Sequence, residues 1–368
     1  MIIESIELKD YRNYEGMKIE FSPSTNIIYG DNARGKTNIL EAAYISGTSK
    51  SHRGSRDKEI IRFDMSEAHI RTKVIKNDKN YQIDIHLKKN GRKGIAINHV
   101  PLKRASDIFG ILNIIFFSPE DLDIIKSGPD KRRRFMDSEL CQINKIYLND
   151  LTNYNKVLNN RNKLLKDIFF KPENKKTLDV WDEQLTNYGK RIISTRRRFV
   201  SEIAPIVSKM HSDISGGREE LSISYEPDID DMFFYDELIR NREKDIRTGS
   251  TSTGPHRDDI SFLINGVDIR KYGSQGQQRT CALSLKLSEI KLVEDVIGEK
   301  PVLLLDDVMS ELDRKRQNDI LSSLEDMQIL LTCTGVDELI KSRLHIDRIF
   351  EIKDNKAVEI NCTNQEEV

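Results

Sequence analysis

The stretch Gly30-Asp31-Asn32-Ala33-Arg34-Gly35-Lys36-Thr37 has two glycines separated by four residues, then lysine and a hydroxyl residue. That is the spacing of a phosphate-binding loop, and the chemistry explains it. Glycines let the backbone turn tightly enough for successive N–H groups to point inward at phosphate oxygens. The helix expected from Asn38 onward adds the positive end of its dipole at the same place. Lys36 is placed to reach β- and γ-phosphates, and the Thr37 hydroxyl to ligate Mg²⁺. The apolar run Ile27-Ile28-Tyr29 supplies a strand entering the loop, and Ile39-Leu40-Glu41-Ala42-Ala43 a good helix former leaving it.

A phosphate loop needs an acid at the end of a neighbouring strand to hold the metal through water. Val302-Leu303-Leu304-Leu305-Asp306-Asp307 is an apolar strand ending in two carboxylates. Asp306 is expected to hold the Mg²⁺ shell and Asp307 to polarise an attacking water, so the catalytic candidates are Lys36, Asp306 and Asp307. Upstream, Gly273-Ser274-Gln275-Gly276-Gln277-Gln278-Arg279 reads as a turn opening a helix over 280–297. Ser274, Gly276 and Gln277 would form a second anion site, which one loop cannot use together with the first. ABC ATPases resolve this by pairing two protomers head to tail, each signature turn closing over the partner's γ-phosphate. Ser310-Glu311-Leu312-Asp313 directly follows the acidic strand end.

These motifs must be positioned by three regions of different texture. Residues 1 to 120 alternate apolar and polar in strand fashion, as at Tyr81, Ile83 and Ile85, with a turn at Asn90-Gly91. From 121 to 244 the period becomes helical. Tyr147, Leu151, Tyr154, Leu158 and Leu165 form one stripe, and Trp181, Leu185, Tyr188, Ile192 and Phe199 a second. Pro172 ends the first helix, Pro205 is expected to kink or break the second, and the pair should pack antiparallel as an arm. After 245 strands and helices alternate again, with a hairpin at Asn265-Gly266. The fold class is therefore α/β: an ABC-type P-loop ATPase head built from residues 1–120 and 245–368, with a helical arm at 121–244 inserted.

An insertion between the two nucleotide motifs resembles the SMC-type branch of the ABC ATPases. Its shortness, with no long heptad array, resembles the RecF recombination-mediator family of bacteria. Other stretches carry the same likeness: Leu8-Lys9-Asp10-Tyr11-Arg12-Asn13-Tyr14, Ser51-His52-Arg53, Phe117-Ser118-Pro119-Glu120-Asp121-Leu122, Gly128-Pro129 with Arg132-Arg133-Arg134-Phe135-Met136-Asp137, and Gly254-Pro255-His256-Arg257-Asp258-Asp259. The resemblance implies a DNA-repair ATPase that binds ATP and Mg²⁺ and forms an ATP-dependent homodimer. It also implies binding to duplex or gapped DNA and help in loading RecA, with RecR and RecO as partners. Three departures from the wider ABC pattern stand out. The second acid is Asp307 rather than glutamate, Phe117–Asp121 occupies the station of the glutamine loop, and Leu331-Thr332-Cys333-Thr334 lies where a switch histidine belongs. They fit a weak, DNA-dependent ATPase that times a clamp, rather than a metabolic enzyme.

The chain has 368 residues and a formal net charge of −1, with 59 basic and 60 acidic side chains. That balance excludes a uniformly basic nucleic-acid binder, but the charges are unevenly spread. Lys126–Arg134 and Lys190–Arg198 hold five basic residues each, and Lys88, Lys89, Arg92 and Lys93 surround the predicted turn. Arg132, Arg133, Arg134, Arg196, Arg197 and Arg198, with Lys88, Lys89 and Arg92, are thus the expected DNA contacts, made to backbone phosphates with little sequence specificity. Glu226–Glu237 carries six carboxylates. The four cysteines are widely spaced, no apolar run approaches the ~18 residues of a membrane span, and no secretory signal opens the chain. A cytoplasmic protein, nucleoid-associated and without a membrane partner, is expected. Three rival readings are an ATPase–nuclease, which needs a further acidic domain, a structural SMC-like tether, which needs a long coiled coil, and an ABC switch acting on a protein client.

Overall fold

The computed structural model describes residues 1–168, 170–308, 324, 326–335 and 346–360. The Ser310–Asp313 motif lies outside the described residues. Contacts divide the chain into two compact units, Met1–Asp121 with Glu289–Val368, and Leu122–Ser288. The second boundary falls within the helix Gln275–Ile297 rather than at 245. Residues 245–288 side with the helical unit because the strands they supply pair there and not with the nucleotide sheet.

In the first unit the chain forms β1 (Ile2–Tyr11), β2 (Tyr14–Glu20), β3 (Thr25–Tyr29), β4 (Glu67–Lys76), β5 (Lys79–Lys88), β6 (Gly94–Ile97), β7 (Val100–Pro101) and β8 (Ile114–Phe117). One sheet runs antiparallel throughout in the order β2-β1-β4-β5-β6-β7. Its strands alternate, burying Ala68, Ile70 and Val74 of β4 against the core while Glu67, His69 and Arg71 face outward.

The second unit supplies β9 (Leu221–Glu226), β10 (Asp259–Ile264) and β11 (Val267–Asp268), which pair as a small antiparallel sheet. The first unit is completed by β12 (Val302–Asp306), β13 (Ile329–Cys333), β14 (Ile346–Lys353) and β15 (Lys356–Ile360). They extend a sheet ordered β15-β14-β3-β13-β12-β8, parallel except for the edge strand β15. Its central strands read as continuous apolar runs because both faces are covered. The helix Lys36–Thr48 leaves β3 and packs Ile39, Leu40, Ala42, Ala43 and Ile45 into one core with residues of both sheets.

The helices Lys145–Ile168 and Leu178–Ser215 of the second unit pack antiparallel, as the ion pairs Asp150–Arg191 and Arg161–Asp182 show. Leu185, Ile192 and Phe199 lie in their contact, whereas Trp181 and Tyr188 sit half-buried at its edge. Asp182, Gly189 and Arg196 take positions inside it. Pro205 does not break the second helix, which runs 38 residues in all with Pro205 inside it. The proline ring is exposed while Ile203 and Val207 are buried. Packing on the inner face thus holds the helix, and the lost N–H bond falls on the solvent side. The two-residue hairpin at Asn265-Gly266 forms as expected, both residues having positive φ.

Candidate nucleotide-binding site

β3 delivers the loop 30–37, and the parallel register aligns its end with those of β13 and β12: Tyr29 faces Cys333, and Thr332 faces Asp306. Ligands of open α/β sheets collect at such carboxyl-terminal edges. Within the loop, Ala33 has φ 64° and Gly35 φ 100°. These left-handed turns swing successive N–H groups to one side, the arrangement that cradles an anion. Gly35 is further constrained by space, because a Cβ there would stand 2.6 Å from the Asn13 side chain and 2.7 Å from the Tyr14 hydroxyl. Asp31, Asn32, Ala33 and Arg34 are exposed, and Arg34 stands 3.7 Å from Asp31.

Lys36 folds back over the loop, its Nζ donating to Gly30 O at 2.6 Å and Asp31 O at 3.0 Å. Thr37 Oγ1 donates to Asp306 Oδ1 at 2.8 Å, which joins the two expected Mg²⁺ partners across the intervening strand β13. Thr332, on that strand, donates to the same Asp306 oxygen at 2.7 Å. It also accepts from the Asp307 backbone N–H at 3.1 Å. Asp307 itself sits at φ 53°, a left-handed conformation that turns the chain sharply at the end of β12. Phe117 lies beside Leu305 at the end of β8, and Ser118 N–H is held by Asp121 Oδ2 at 2.7 Å. A lysine, two hydroxyls and a carboxylate converge here, a donor set that fits a triphosphate and a hard oxygen-liganded cation.

Sequence reasoning did not give Thr332 a role. The available signal was its position one strand from Asp306, which only the sheet order reveals. Nor did it explain the stretch Leu8–Tyr14, which the structure makes the backing of the loop. Asn13 Nδ2 donates to Arg34 O at 3.1 Å, Asn38 Nδ2 to Asn13 Oδ1 at 2.8 Å, and Tyr14 OH to Gly35 O at 3.0 Å. One turn further on, fully buried Glu41 accepts from Tyr11 OH, from Arg12 at 2.8 and 2.6 Å, and from Ser51 Oγ at 2.5 Å. Burial pushes the Glu41 carboxyl up, but the hydrogen bonds from Arg12 and Ser51 outweigh it and hold the group below its ordinary value. His52 stacks on Phe116 at 3.9 Å, and Arg53 is exposed with Nη1 3.4 Å from Asn38 Oδ1.

In the second unit, the signature stretch begins the helix at Gln275, five residues earlier than its composition predicts. Ser274 Oγ accepts from Gln277 N–H at 3.2 Å, and Gln277 Oε1 accepts from Ser274 N–H at 2.9 Å, a reciprocal cap. Ser274 and Gly276 are exposed, and Gln277 is tethered to Glu219 at 3.1 Å.

The basic patches are corrected. Arg132 and Arg196 are buried side chains, 2 % exposed each, and cannot meet DNA. Arg132 grips Asp259 at 2.5 and 2.9 Å, while Arg196 binds Asp137 at 2.7 Å, Asp258 at 2.8 Å and Pro255 O at 2.6 Å. Both are drawn inward because carboxylates of the Gly254–Asp259 stretch and of the Arg132–Asp137 helix need partners once desolvated. Arg133 donates to Asp258 O at 2.8 Å. Arg197, though exposed, pairs with Asp230 at 3.2 Å and Asp231 at 2.9 Å, so the acidic stretch neutralises it. Arg134, Arg198, Lys88, Lys89 and Arg92 do face solvent, with Arg198 3.8 Å from Glu202 and Lys88 3.8 Å from Glu67. His256 is structural, held by Tyr154 OH at 2.8 Å and Thr251 O at 3.2 Å.

The sheet order, the phosphate loop after β3 and the acid-tipped strand β12 define an ABC-type P-loop ATPase head of the SMC kind. The family model described as RecF/RecN/SMC N terminal domain matches residues 2–357. A DNA replication and repair protein RecF of Agathobacter rectalis is 62% identical over 352 residues, 96% of this chain and 97% of that one. Its namesake from Lachnospira eligens is 57% identical, covering 98% of this chain and 100% of its own. A solved structure of the recombination mediator protein RecF with ATP, in the RecFOR pathway, aligns with TM-score 0.92 at 39% identity, covering 98% of this chain and 97% of that one. The Pyrococcus furiosus Smc head domain shares the fold alone, at TM-score 0.57 and 18% identity, over 98% and 96% of the two chains. The chain belongs to the RecF family of DNA replication, recombination and repair proteins. Among the described residues, no helix is long and apolar enough to cross a membrane.

Proposed function

We propose that this chain is an ATP-timed clamp for duplex or gapped DNA in recombinational repair. The observation that carries the reading is the convergence of Lys36, Thr37, Thr332 and Asp306 at one sheet edge. The loop 30–37 and Asn38 hold the triphosphate, and Lys36 exchanges its loop carbonyls for phosphate oxygens. Thr37 and Asp306, the latter through water, hold Mg²⁺, which offsets the charge of the phosphate oxygens when bound. Asp307 orients water, and as a shorter carboxylate than glutamate it does so slowly. Exposed Ser274 and Gly276, with half-buried Gln277 beside them, are available to a second protomer, giving a head-to-tail dimer. DNA meets Lys88, Lys89, Arg92, Arg134 and Arg198, with hydrolysis driving release. RecR and RecO act as partners in placing RecA on gaps, which rests on the family and not on the site.

Sedimentation and duplex-DNA binding with and without Mg-ATP test this, for the wild type, Lys36→Ala, Ser274→Arg and Asp307→Asn. The expected result is a dimer that requires ATP, is lost in the first two variants and persists longer in the third. DNA affinity should fall steeply with salt. A monomer in saturating Mg-ATP overturns the clamp. An ATP-dependent dimer that ignores DNA leaves the rival, a switch acting on a protein client.

A further inference from the structure

We propose that Glu67, His69 and His86 form a binding site for a divalent cation of the zinc class, on the outward face of the β4–β5 ladder in the first unit. The register places His69 directly opposite His86, between Glu67 opposite Lys88 and Arg71 opposite Asp84. The two flanking pairs are charge-complementary: Arg71 Nε lies 2.6 Å from Asp84 Oδ1, and Lys88 Nζ lies 3.8 Å from Glu67 Oε1. The middle pair is two imidazoles, which a bound cation would join. Their rings stack with centroids 4.1 Å apart, and His86 Nε2 stands 2.7 Å from Glu67 Oε2.

One donor atom from each of the three side chains lies within 4.8 Å of the other two. Zinc–nitrogen and zinc–oxygen bonds of about 2.0–2.2 Å set tetrahedral edges of about 3.4 Å. Glu67 and His69 are exposed and His86 half-buried, so rotation toward that spacing meets little packing and needs no change in the backbone ladder. Two imidazoles and a carboxylate suit zinc, and disfavour magnesium and calcium, which prefer all-oxygen shells. Three protein ligands leave a fourth position open, as in exchangeable rather than closed structural sites. A cleft of ≈ 520 Å³ adjoins it, lined by Lys9, His69, Arg71, Asp84 and His86. Of the neighbouring cations, Arg71 pairs with Glu7 and Asp84 and Lys88 with Glu67, so binding depends on ligation and not on a general negative field.

Full-length protein freed of metal by a chelator would be titrated with Zn²⁺ by calorimetry and with Co²⁺ by visible absorption. The expected result is one Zn²⁺ per chain and Co²⁺ bands of a four-coordinate site. His69→Ala, His86→Ala and Glu67→Gln should each weaken binding about tenfold or more. Thr37→Ala, which alters the nucleotide site, should leave the zinc isotherm unchanged, and circular dichroism of each variant checks that the sheet is intact. A wild-type isotherm without a stoichiometric phase overturns the site. So does retention of the phase by a folded His69→Ala/His86→Ala double variant.

Discussion

Thr332 Oγ1 donates to Asp306 Oδ1 at 2.7 Å, and Thr37 Oγ1 donates to the same oxygen at 2.8 Å. The strand β13 separates β3 from β12, so the phosphate loop and the acid cannot be adjacent in the sheet. Thr332 bridges that interval. The residue is 1 % exposed; its hydroxyl donates to the carboxylate while its oxygen takes the Asp307 N–H.

Thr332→Val keeps the shape of the side chain and removes the donor. A hydrogen bond to a charged group is worth about 1.5–3 kcal/mol, so Mg-ATP affinity should fall about 10- to 100-fold. Binding of ATP without Mg²⁺ should change little, since Lys36 and the loop are untouched. Titration with a fluorescent nucleotide, with and without Mg²⁺, separates the two. Thr332→Ser should restore most of the loss; equal loss in both variants would mean that packing, not the hydroxyl, matters.

Glu41 and Arg12 are coupled behind the phosphate loop, with oxygen–nitrogen distances of 2.8 and 2.6 Å. Glu41→Ala removes the acceptor of Tyr11 OH and Ser51 Oγ and leaves Arg12 only Glu59 O and Ser55 Oγ, and should cost about 3–5 kcal/mol, the range for breaking a buried pair. Arg12→Ala should also destabilise. The double variant should cost less than the two single losses added, because each removes the same interaction. Urea denaturation of the four proteins measures this, and simple additivity would refute the coupling.

Much of the nucleotide site was legible because its chemistry is local. A loop of eight residues and a strand ending in acid carry their own spacing, and no partner from elsewhere is needed to read Lys36 or Asp306. Thr332 was not legible, since its role depends on which strand separates two others. The helix start at Gln275 was displaced because a Ser-Gln-Gly turn reads as loop until Ser274 and Gln277 cap each other. The arginines failed for a different reason. Charge runs read along the chain cannot distinguish a solvated face from a buried network, and the acids that claim Arg132 and Arg196 all lie more than fifty residues away in sequence. Pro205 misled because propensity speaks of the isolated helix, and a packed inner face overrides it.

Arg196 and Arg134 should therefore separate folding from binding. Arg196→Ala strands Asp258, which is fully buried and also accepts from Tyr225 and from Asp228 N–H, and should cost about 3–5 kcal/mol in stability. Arg134→Ala should leave the unfolding free energy from urea denaturation within about 0.5 kcal/mol of wild type. If Arg134 meets a phosphate, the same change lowers the slope of log affinity against log salt by about 1. Loss of DNA binding in Arg196→Ala with unchanged stability would reverse this assignment.

His52 gives the fold an acid-side limit. Burial beside Phe116 pushes its pKa down from 6.5 to about 4, with Glu41 opposing and Arg53 and Arg12 reinforcing. The native imidazole therefore stays neutral where the unfolded one is protonated. Between pH 6.5 and about 4 the unfolded chain binds more protons, so stability falls as pH falls through that window and levels off below it. The shift corresponds to a limiting loss of ~3 kcal/mol. His52→Phe keeps a ring against Phe116 and removes the titration. The gap between the urea stabilities of variant and wild type should then shift steadily in the variant's favour from pH 7 to pH 4.5. Other titrating groups cancel in that difference, so a gap independent of pH would show that the His52 ring does not resist protonation in the folded protein.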